Sequence, residues 1–144
     1  MELKLAYSLP NNLQIVDVFE DDDTITINCK SSLNYSVCPH CGKTNDKVHQ
    51  KFVKLIQDLP LNKKDVTLKL TTRVFKCDNL NCNHFSYTEN FNFVSPSEKK
   101  TKRLIDRIVL MSKDYSCRKV AKLLNDDGAI ISKATVNNIY NKYK

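Results

Sequence analysis

The chain has 144 residues, with 23 Lys and Arg against 16 Asp and Glu and a formal net charge of +7 at pH 7. This length leaves room for one ordinary domain or a few small ones and excludes a large catalytic core. There is no apolar run of roughly 18 residues and no signal-peptide pattern at the start, so we expect a soluble, cytoplasmic chain without a membrane partner.

The six cysteines and the distribution of charge narrow the possible functions further. A reducing compartment disfavours disulfides, so cysteines in this number indicate a metal site or reactive thiols. Residues 1–36 hold 2 basic and 6 acidic side chains, residues 37–96 hold 9 and 5, and residues 97–144 hold 12 and 5. The positive charge of the last two thirds suits a polyanionic partner, although charged stretches are commonly solvated surface.

An N-terminal β-hairpin is the first predicted element. The stretches NLQIVDVFE and DTITINCKS alternate as strands do, and the acidic residues from Asp21 to Asp23 lie between them as a turn. In the second stretch Ile25, Ile27 and Cys29 share one face, which makes Cys29 a small core residue.

Two pairs of closely spaced cysteines flank the middle of the chain. The first pair, in CPHC, has two residues between its thiols, and the second, in CDNLNC, has four. Zinc prefers four soft ligands at tetrahedral angles, and two such knuckles supply them. The pattern therefore predicts a zinc ribbon with one structural zinc ion, whose ligands are Cys38, Cys41, Cys77 and Cys82.

Alternative interpretations of the two knuckles fit the sequence less well. A redox-active CPHC predicts a thioredoxin-like βαβ context, whereas the residues that follow are strand-like and contain no long helical pattern. His40 and His84 are alternative ligands, but four cysteines already complete a zinc site, so we expect both rings outside it. His49 is expected on a strand surface. Lys43 and Lys76 are expected to offset the net negative charge of zinc bound by four thiolates.

The stretch between the knuckles contains the clearest strand, VTLKLTTRVF. Its alternate positions are apolar on one face and polar or basic on the other, which predicts a half-buried strand. The preceding DLPLNKKD is predicted as a turn-rich loop, and HFSYTE after the second knuckle as a short closing strand. The apolar face comprises Val66, Leu68, Leu70 and Val74, and the outer face Thr67, Lys69, Thr71 and Arg73.

Helical spacing begins after VSPSEKK, where Pro96 ends the strand region and Ser97 is the predicted N-cap. Ser116 starts a second helix, which ends before Gly128, and Ser132 starts a third. Three helices with a tight break between the last two predict a helix-turn-helix unit. The residues expected to face inward are Leu104, Ile105, Ile108, Val109 and Met111, then Cys117, Val120, Ala121 and Leu124, then Val136, Ile139, Tyr140 and Tyr143.

The third helix carries a polar face that suits the major groove of DNA. Asparagine can pair with adenine through two hydrogen bonds, and basic residues on the preceding helix would contact phosphates without selecting a sequence. The alternative is a three-helix bundle that docks a protein. Candidate groove contacts are Lys133, Thr135, Asn137, Asn138 and Asn141, and candidate phosphate contacts are Arg118, Lys119 and Lys122.

Three stretches, CPHCGKTNDKVH, DLPLNKKDVTLKLTTRVFKCDNLNC and FSYTE, together resemble the N-terminal zinc ribbon of bacterial insertion-sequence transposases of the ISL-three family. The resemblance covers roughly residues 12 to 144 and rests on the paired knuckles, DLP, RVFKC and the spacing F-x-x-T-E. The expected fold is α+β: a small antiparallel zinc-ribbon sheet with an N-terminal β-hairpin, followed by a three-helix helix-turn-helix unit. The expected segments are the hairpin packed on the ribbon at 1–36, the ribbon at 37–96 and the helices at 97–144.

The resemblance implies the end-recognition part of a transposase. It implies that the four cysteines bind zinc and that the last two helices bind double-stranded DNA. The expected target is a terminal inverted repeat or a related operator, and a homodimer stays an open option. In the resembled enzymes a catalytic domain with three metal-binding carboxylates follows. The sequence shows no such cluster, so we expect neither catalysis nor a small-molecule substrate. A standalone repressor or competitor of transposition and a protein-binding adaptor stay open, and the expected location is the bacterial nucleoid.

Overall fold

The structure, a computed structural model, describes residues 12–144. The predicted absence of a signal peptide and the beginning of the predicted 1–36 segment lie outside this range. The described chain is α+β, with strands through its first two thirds and helices at its end. The strands are β1 Leu13–Glu20, β2 Thr24–Ser31, β3 Ser36–Val37, β4 Thr44–Asn45, β5 Val48–Leu61, β6 Lys64–Lys76 and β7 Ser86–Thr88, and the helices are α1 Lys102–Ser112, α2 Cys117–Asp126 and α3 Lys133–Tyr143.

Five of these strands form one sheet. β1 and β2 make the predicted antiparallel hairpin, β5 and β6 make a second one, and β7 pairs antiparallel with the end of β6. The two hairpins are joined because β2 and β6 run parallel, from the Thr24–Asp65 pair to the Lys30–Thr71 pair. The antiparallel ribbon strands therefore belong to a larger, mixed sheet. The division of the chain at residues 37 and 97 stays a prediction.

The β5–β6 hairpin has a tighter turn than the sequence predicts. In place of a turn-rich loop over DLPLNKKD, β5 continues to Leu61 and β6 begins at Lys64. Only Asn62 and Lys63 lie between the strands, and both have positive φ (54° and 61°), as a type I′ turn requires. Pro60 lies where the strand register shifts, and such irregularities tolerate the missing N–H of proline.

One face of the sheet is buried, and it is the face that the strand alternation predicts. Ile25, Ile27 and Cys29 of β2 are fully buried, while Lys69 on the opposite face of β6 is exposed. Burial raises the pKa of the Cys29 thiol to about 11, which leaves it a packing residue rather than a reactive one. The remaining buried apolar residues of this core are Ile56, Val66, Leu68, Leu70 and Val94.

Each helix begins at a side-chain cap, and two of the three caps are the predicted ones. Ser116 Oγ accepts the Lys119 N–H at 3.2 Å, and Ser132 Oγ accepts the Thr135 N–H at 3.1 Å. The predicted cap of the first helix, Ser97, is wrong.

Thr101 caps α1, and a contact with the sheet explains the later start. The Thr101 Oγ1 accepts the Leu104 N–H at 3.3 Å. Gln57 in β5 donates its backbone N–H to Lys99 O at 2.8 Å and accepts the Thr101 N–H at 3.0 Å. This strand-like pairing keeps the residues before Thr101 extended, so helical geometry begins only at Lys102.

The three helices pack around one apolar core. Tyr143, which the sequence predicts to face inward, is 40% exposed and donates its hydroxyl to Glu98 Oε1 at 2.6 Å. Gly128 ends the second helical segment with a φ of +107°, as predicted. None of the described helices is long and apolar enough to cross a membrane. The buried core residues are Leu104, Ile105, Ile108, Val120, Ala121, Leu124, Ala129, Ile131, Val136 and Ile139, with Val109, Met111 and Cys117 partly buried against them.

A buried carboxylate ties α1 to the sheet. Asp58, at the end of β5, is fully buried and accepts the Thr101 hydroxyl at 2.6 Å. It also accepts the Arg103 Nε at 2.9 Å and forms a second hydrogen bond with the Arg103 guanidinium. The side chain that caps α1 is thus itself held by the sheet. The aspartate of the DLP motif is therefore structural.

The turn between α2 and α3 rests on the turn between β5 and β6. A Cβ placed on Gly128 would lie 2.3 Å from the carbonyl carbon of Lys63. Next to this contact, Asp65 accepts the Ile130 N–H at 3.0 Å, and the Gln57 side chain donates to both Asp65 and the Ile130 carbonyl. The close approach of two backbones requires glycine at this position.

We expect Gly128→Ala to destabilise the protein by about 2–4 kcal/mol, because the new Cβ meets the backbone of Lys63 and Lys64 at 2.3–2.5 Å in a left-handed conformation. Gly42→Ala is the matched control. Its φ is also positive (+80°), but its added Cβ has no atom within 4 Å, so a loss of about 1 kcal/mol is expected. Urea unfolding of both zinc-loaded variants, followed by circular dichroism, measures the difference. Equal losses would contradict the close backbone contact.

Candidate metal centre

Four sulfur atoms gather where the two cysteine knuckles meet. The Sγ atoms of Cys38, Cys41, Cys77 and Cys82 all lie within 4.8 Å of one another. Cys38 Sγ is 3.9 Å from Cys82 Sγ, and Cys41 Sγ is 3.5 Å from Cys77 Sγ. The prediction that these four residues come together is confirmed.

The first knuckle is the connection between β3 and β4, which pair as a small antiparallel sheet. The Cys38 N–H donates to Lys43 O at 2.9 Å, and the Gly42 N–H donates to Cys38 O at 2.8 Å. Gly42 has a φ of +80°, which turns the chain back immediately after Cys41. These bonds close the knuckle so that both of its sulfurs belong to the same cluster.

The second knuckle connects β6 to β7. The Cys77 N–H donates to Phe85 O at 2.9 Å, which closes the loop at its base. Within the loop, Asn79 accepts the Cys82 N–H on its carbonyl at 3.0 Å and the Asn81 N–H on its side chain at 3.0 Å. The longer spacing of this pair is thus taken up by a compact turn centred on Asn79.

Asn45 joins the two knuckles, and the sequence reasoning did not identify it. Its buried side-chain amide donates to Lys43 O and to the Tyr87 hydroxyl, both at 3.1 Å, and its oxygen accepts the Asp78 N–H at 3.2 Å. Lys43 and Asp78 also form an ion pair at 2.9 Å on the surface. An asparagine in a polar loop carries no pattern of its own, so only its place next to the first knuckle hinted at this role.

The sulfur cluster lies on a small aromatic base. Phe75 and Tyr87 are buried, their ring centroids are 5.9 Å apart, and Cys38, Cys77 and Cys82 pack against them. Arg73 lies over the Phe75 ring and forms a two-pronged ion pair with Glu89, at 3.0 Å from Nε and 2.8 Å from Nη2. The arginine of RVFKC and the glutamate of F-x-x-T-E therefore hold β6 against the segment after β7.

The thiols differ in acidity because their surroundings differ. Hydrogen bonds from the Asn79 side chain and the Lys43 backbone lower the pKa of the Cys41 thiol to about 6. At Cys77 the Asn79 backbone N–H lowers the pKa, but desolvation and the neighbouring thiols outweigh it, and the pKa rises to about 11. Crowded thiols cannot all ionise without a cation, so zinc binding must displace protons.

Lys43, which the sequence predicts to offset the thiolate charge, forms an ion pair with Asp78 at 2.9 Å. Lys76 extends toward the Phe85 ring, with its Nζ 5.3 Å from the ring centroid. The offset of the thiolate charge by these two lysines stays a prediction.

The donor set fits one zinc ion. Four sulfurs placed about 2.3 Å from a tetrahedral zinc lie about 3.8 Å apart, close to the observed separations. No sulfur pair is near the disulfide distance of about 2.05 Å, and all six cysteines are free. Among residues 12–144, no other group of three or more His, Cys, Asp or Glu ligand atoms comes together. When bound, zinc supplies a rigid crosslink between the knuckles.

The three histidines lie outside the sulfur cluster. The rings of His40 and His84 stack on each other, with centroids 3.4 Å apart and an interplanar angle of 9°. His49 is exposed on β5, where the sequence predicts it. Its ring approaches the Phe85 ring edge-on, with the two ring centroids 6.3 Å apart.

The candidate DNA-contacting residues lie on α2 and α3, apart from the cysteine cluster in the fold. Three of them have intramolecular side-chain partners: Thr135 is half-buried with its hydroxyl 2.9 Å from Ser132 Oγ, Asn137 Oδ1 accepts the Cys117 thiol at 3.5 Å, and Lys122 forms an ion pair with Asp126 at 3.0 Å. The exposed candidates are Arg118, Lys119 and Lys122 on α2 and Lys133, Asn137, Asn138 and Asn141 on α3.

Comparison with known proteins agrees with the geometry of the sulfur cluster. Residues 35–82 match the family described as the zinc-finger of transposase IS204/IS1001/IS1096/IS1165, a range that contains all four cysteines. No curated protein and no solved structure matches the chain. The matched segment, its knuckles and its sulfur cluster support one conclusion: residues 35–82 are similar to the zinc finger of these insertion-sequence transposases.

Proposed function

We propose that the chain is a zinc-dependent DNA-binding protein that recognises the end of an insertion sequence, at a terminal inverted repeat or a related operator. The transposase zinc ribbon at residues 35–82 is the observation that carries the proposal. In this account the ribbon and the sheet form a scaffold, and α1 to α3 act as a helix-turn-helix unit that contacts duplex DNA. The polypeptide itself is proposed to bind rather than to catalyse.

The exposed face of α3 supports the assignment of the groove contact. Lys133, Asn137 and Asn141 are spaced four residues apart, so they form one stripe along the helix, with Asn138 beside it. Eight residues of helix span about 12 Å, which is comparable to the width of the major groove. Val136 and Ile139 are buried on the opposite side, so the polar stripe faces away from the helical core.

The exposed face of α2 supports the phosphate contacts. Among the described residues, Arg118 and Lys119 are exposed and form no salt bridge, so both are available to an anionic backbone. Ser116 places them in the first turn of α2, and backbone N–H groups at a helix start also favour phosphate. Lys122 would exchange its exposed partner Asp126 for a phosphate at little cost.

Salt dependence and sequence selection test the proposal. We expect zinc-loaded protein to bind random duplex with an affinity that falls linearly with salt on logarithmic axes. Replacing Arg118 and Lys119 with Gln should reduce the magnitude of that slope by about 2, because each phosphate contact contributes roughly 0.9. The matched control replaces Lys30 and Lys69, two exposed lysines on the sheet, and should leave the slope unchanged.

Base recognition is tested separately at Asn138. Asn138→Ala should weaken binding to a sequence enriched from a random duplex pool by about 5- to 100-fold, because one paired base contact is lost. Binding to unselected duplex should change little. If no sequence is enriched and duplex binding is independent of salt, the DNA proposal fails and a protein-binding adaptor takes its place.

A further inference from the structure

An exposed group of four rings and one lysine lies beside the zinc site and has no role in the duplex contact proposed above. It consists of His40, His49, Lys76, His84 and Phe85, here called the ribbon patch. All three histidines of the chain are in it. Phe85 is 68% exposed, whereas Phe75 in β6 is fully buried.

The ribbon patch is pre-organised by contacts from separate elements. The Lys76 Nζ lies 5.3 Å from the centroid of the Phe85 ring, and His49 approaches the same ring edge-on at 6.3 Å. The adjacent residue, His84, stacks on His40 at 3.4 Å. The Phe85 carbonyl is anchored by the N–H of a zinc-site cysteine at 2.9 Å. The rings are therefore positioned by the backbone that the metal holds.

A ring that is held rigid and left in water offers a flat surface for another ring. Nucleic-acid bases stack on such aromatic side chains, and all four bases have a suitable face. In a duplex interior these faces are covered by neighbouring base pairs, so only unpaired nucleotides or strand ends can use the ribbon patch. A cation beside the ring adds to the attraction for a strand whose phosphates lie nearby.

Charge assists this contact but does not supply most of it. Lys47 and Lys51 are exposed, lie two residues before and after His49 along the chain and, among the described residues, form no salt bridge, and the same absence of a salt bridge holds for Lys76. The four thiolates leave the nearby zinc site negative, which opposes a phosphate backbone. Stacking on Phe85 must therefore provide the larger share of the binding energy, with the lysines neutralising the local field.

We propose that the ribbon patch is a second nucleic-acid site, which binds unpaired nucleotides of a single strand by stacking a base on Phe85. The proposal goes beyond the duplex contact of α3 and does not depend on it. Together the two sites would select DNA in which a duplex continues into an unpaired strand. A protein ligand for the same rings is the competing outcome of the test.

The chain contains no tryptophan, so a single one can report on the ribbon patch. In zinc-loaded Phe85→Trp protein, we expect the indole emission to be quenched to saturation by a short oligothymidylate and much less by a blunt duplex, because stacking requires an open base face. Leu80→Trp is the matched control: Leu80 is 99% exposed in the same loop but lies outside the ribbon patch, so its quenching should be weak.

A second variant separates aromatic stacking from apolar contact. Phe85→Leu keeps an apolar side chain and should weaken oligothymidylate binding by about 10-fold, measured by anisotropy, with zinc content and duplex affinity unchanged. Equal oligothymidylate affinity of the Phe85→Leu and unaltered proteins would overturn the proposal, as would equal quenching of the two tryptophan variants or equal quenching by duplex. Loss of duplex binding in the α3 and α2 variants alone would bear only on the proposed duplex function.

Discussion

Removal of zinc is expected to unfold the ribbon end of the protein while the helices persist. The sheet core and the helical core are built from apolar residues away from the sulfur cluster, whereas the large apolar side chains buried beside the cysteines, among residues 12–144, are Phe75 and Tyr87. After chelation, amide hydrogen exchange at Cys38 and Cys82 should accelerate by at least about 100-fold, because their hydrogen bonds depend on the metal crosslink. Exchange in α1 to α3 and the helical circular dichroism should change little.

The same result is expected from a single substitution in the site. Cys77→Ser should abolish stoichiometric zinc binding at neutral pH and give the exchange pattern of the chelated protein. Cys117→Ser is the matched control, because this cysteine is half-buried on α2 and outside the cluster, so one zinc should remain bound. Unfolding of the whole chain on chelation would show that the ribbon also supports the sheet, and unchanged exchange would contradict a structural metal.

Loss of Asp58 is expected to be among the most damaging changes outside the metal centre. Asp58→Ala should lower the free energy of unfolding by about 3 kcal/mol, because it removes the fully buried partner of the Thr101 hydroxyl and the Arg103 guanidinium. Thermal or urea unfolding of zinc-loaded protein measures this loss. The N-terminus of α1 should also lose its protection from amide exchange, since Thr101 caps that helix.

Two further variants provide comparisons for the loss of stability in Asp58→Ala. Asp58→Asn keeps the shape and the hydrogen bond to Thr101 but loses the charge, so an intermediate loss is expected. Asp126→Ala removes the exposed partner of Lys122 and should cost at most about 0.5 kcal/mol. If Asp58→Ala were as mild as Asp126→Ala, the carboxylate would not be what attaches the helices to the sheet.

The zinc ligands could be predicted from the sequence because their signal is local. Two short cysteine spacings constrain the geometry of each knuckle, and zinc chemistry then requires the knuckles to meet. The strand faces and two of the helix caps were also predictable, since Ser116 and Ser132 directly precede the segments they cap. In each case the residues that decide the structure are neighbours along the chain.

The features that could not be predicted depend on contacts between distant residues. The parallel pairing of β2 with β6 leaves no trace in the alternation of either strand. The start of α1 at Lys102 rather than near Ser97 follows from the pairing of Gln57 with the segment before the helix. The roles of Asp58 and Glu89 appear only when their arginine partners are placed, although both lie in motifs that the resemblance singles out.

The ligand shell of the bound zinc tests the central claim most directly. X-ray absorption at the zinc edge on the one-to-one complex should show a single shell of four sulfur atoms at about 2.3 Å, with no nitrogen or oxygen neighbour. A shell that contains nitrogen at about 2.0 Å would mean that His40 or His84 replaces a cysteine, and it would contradict the four-sulfur site on which the ribbon is built.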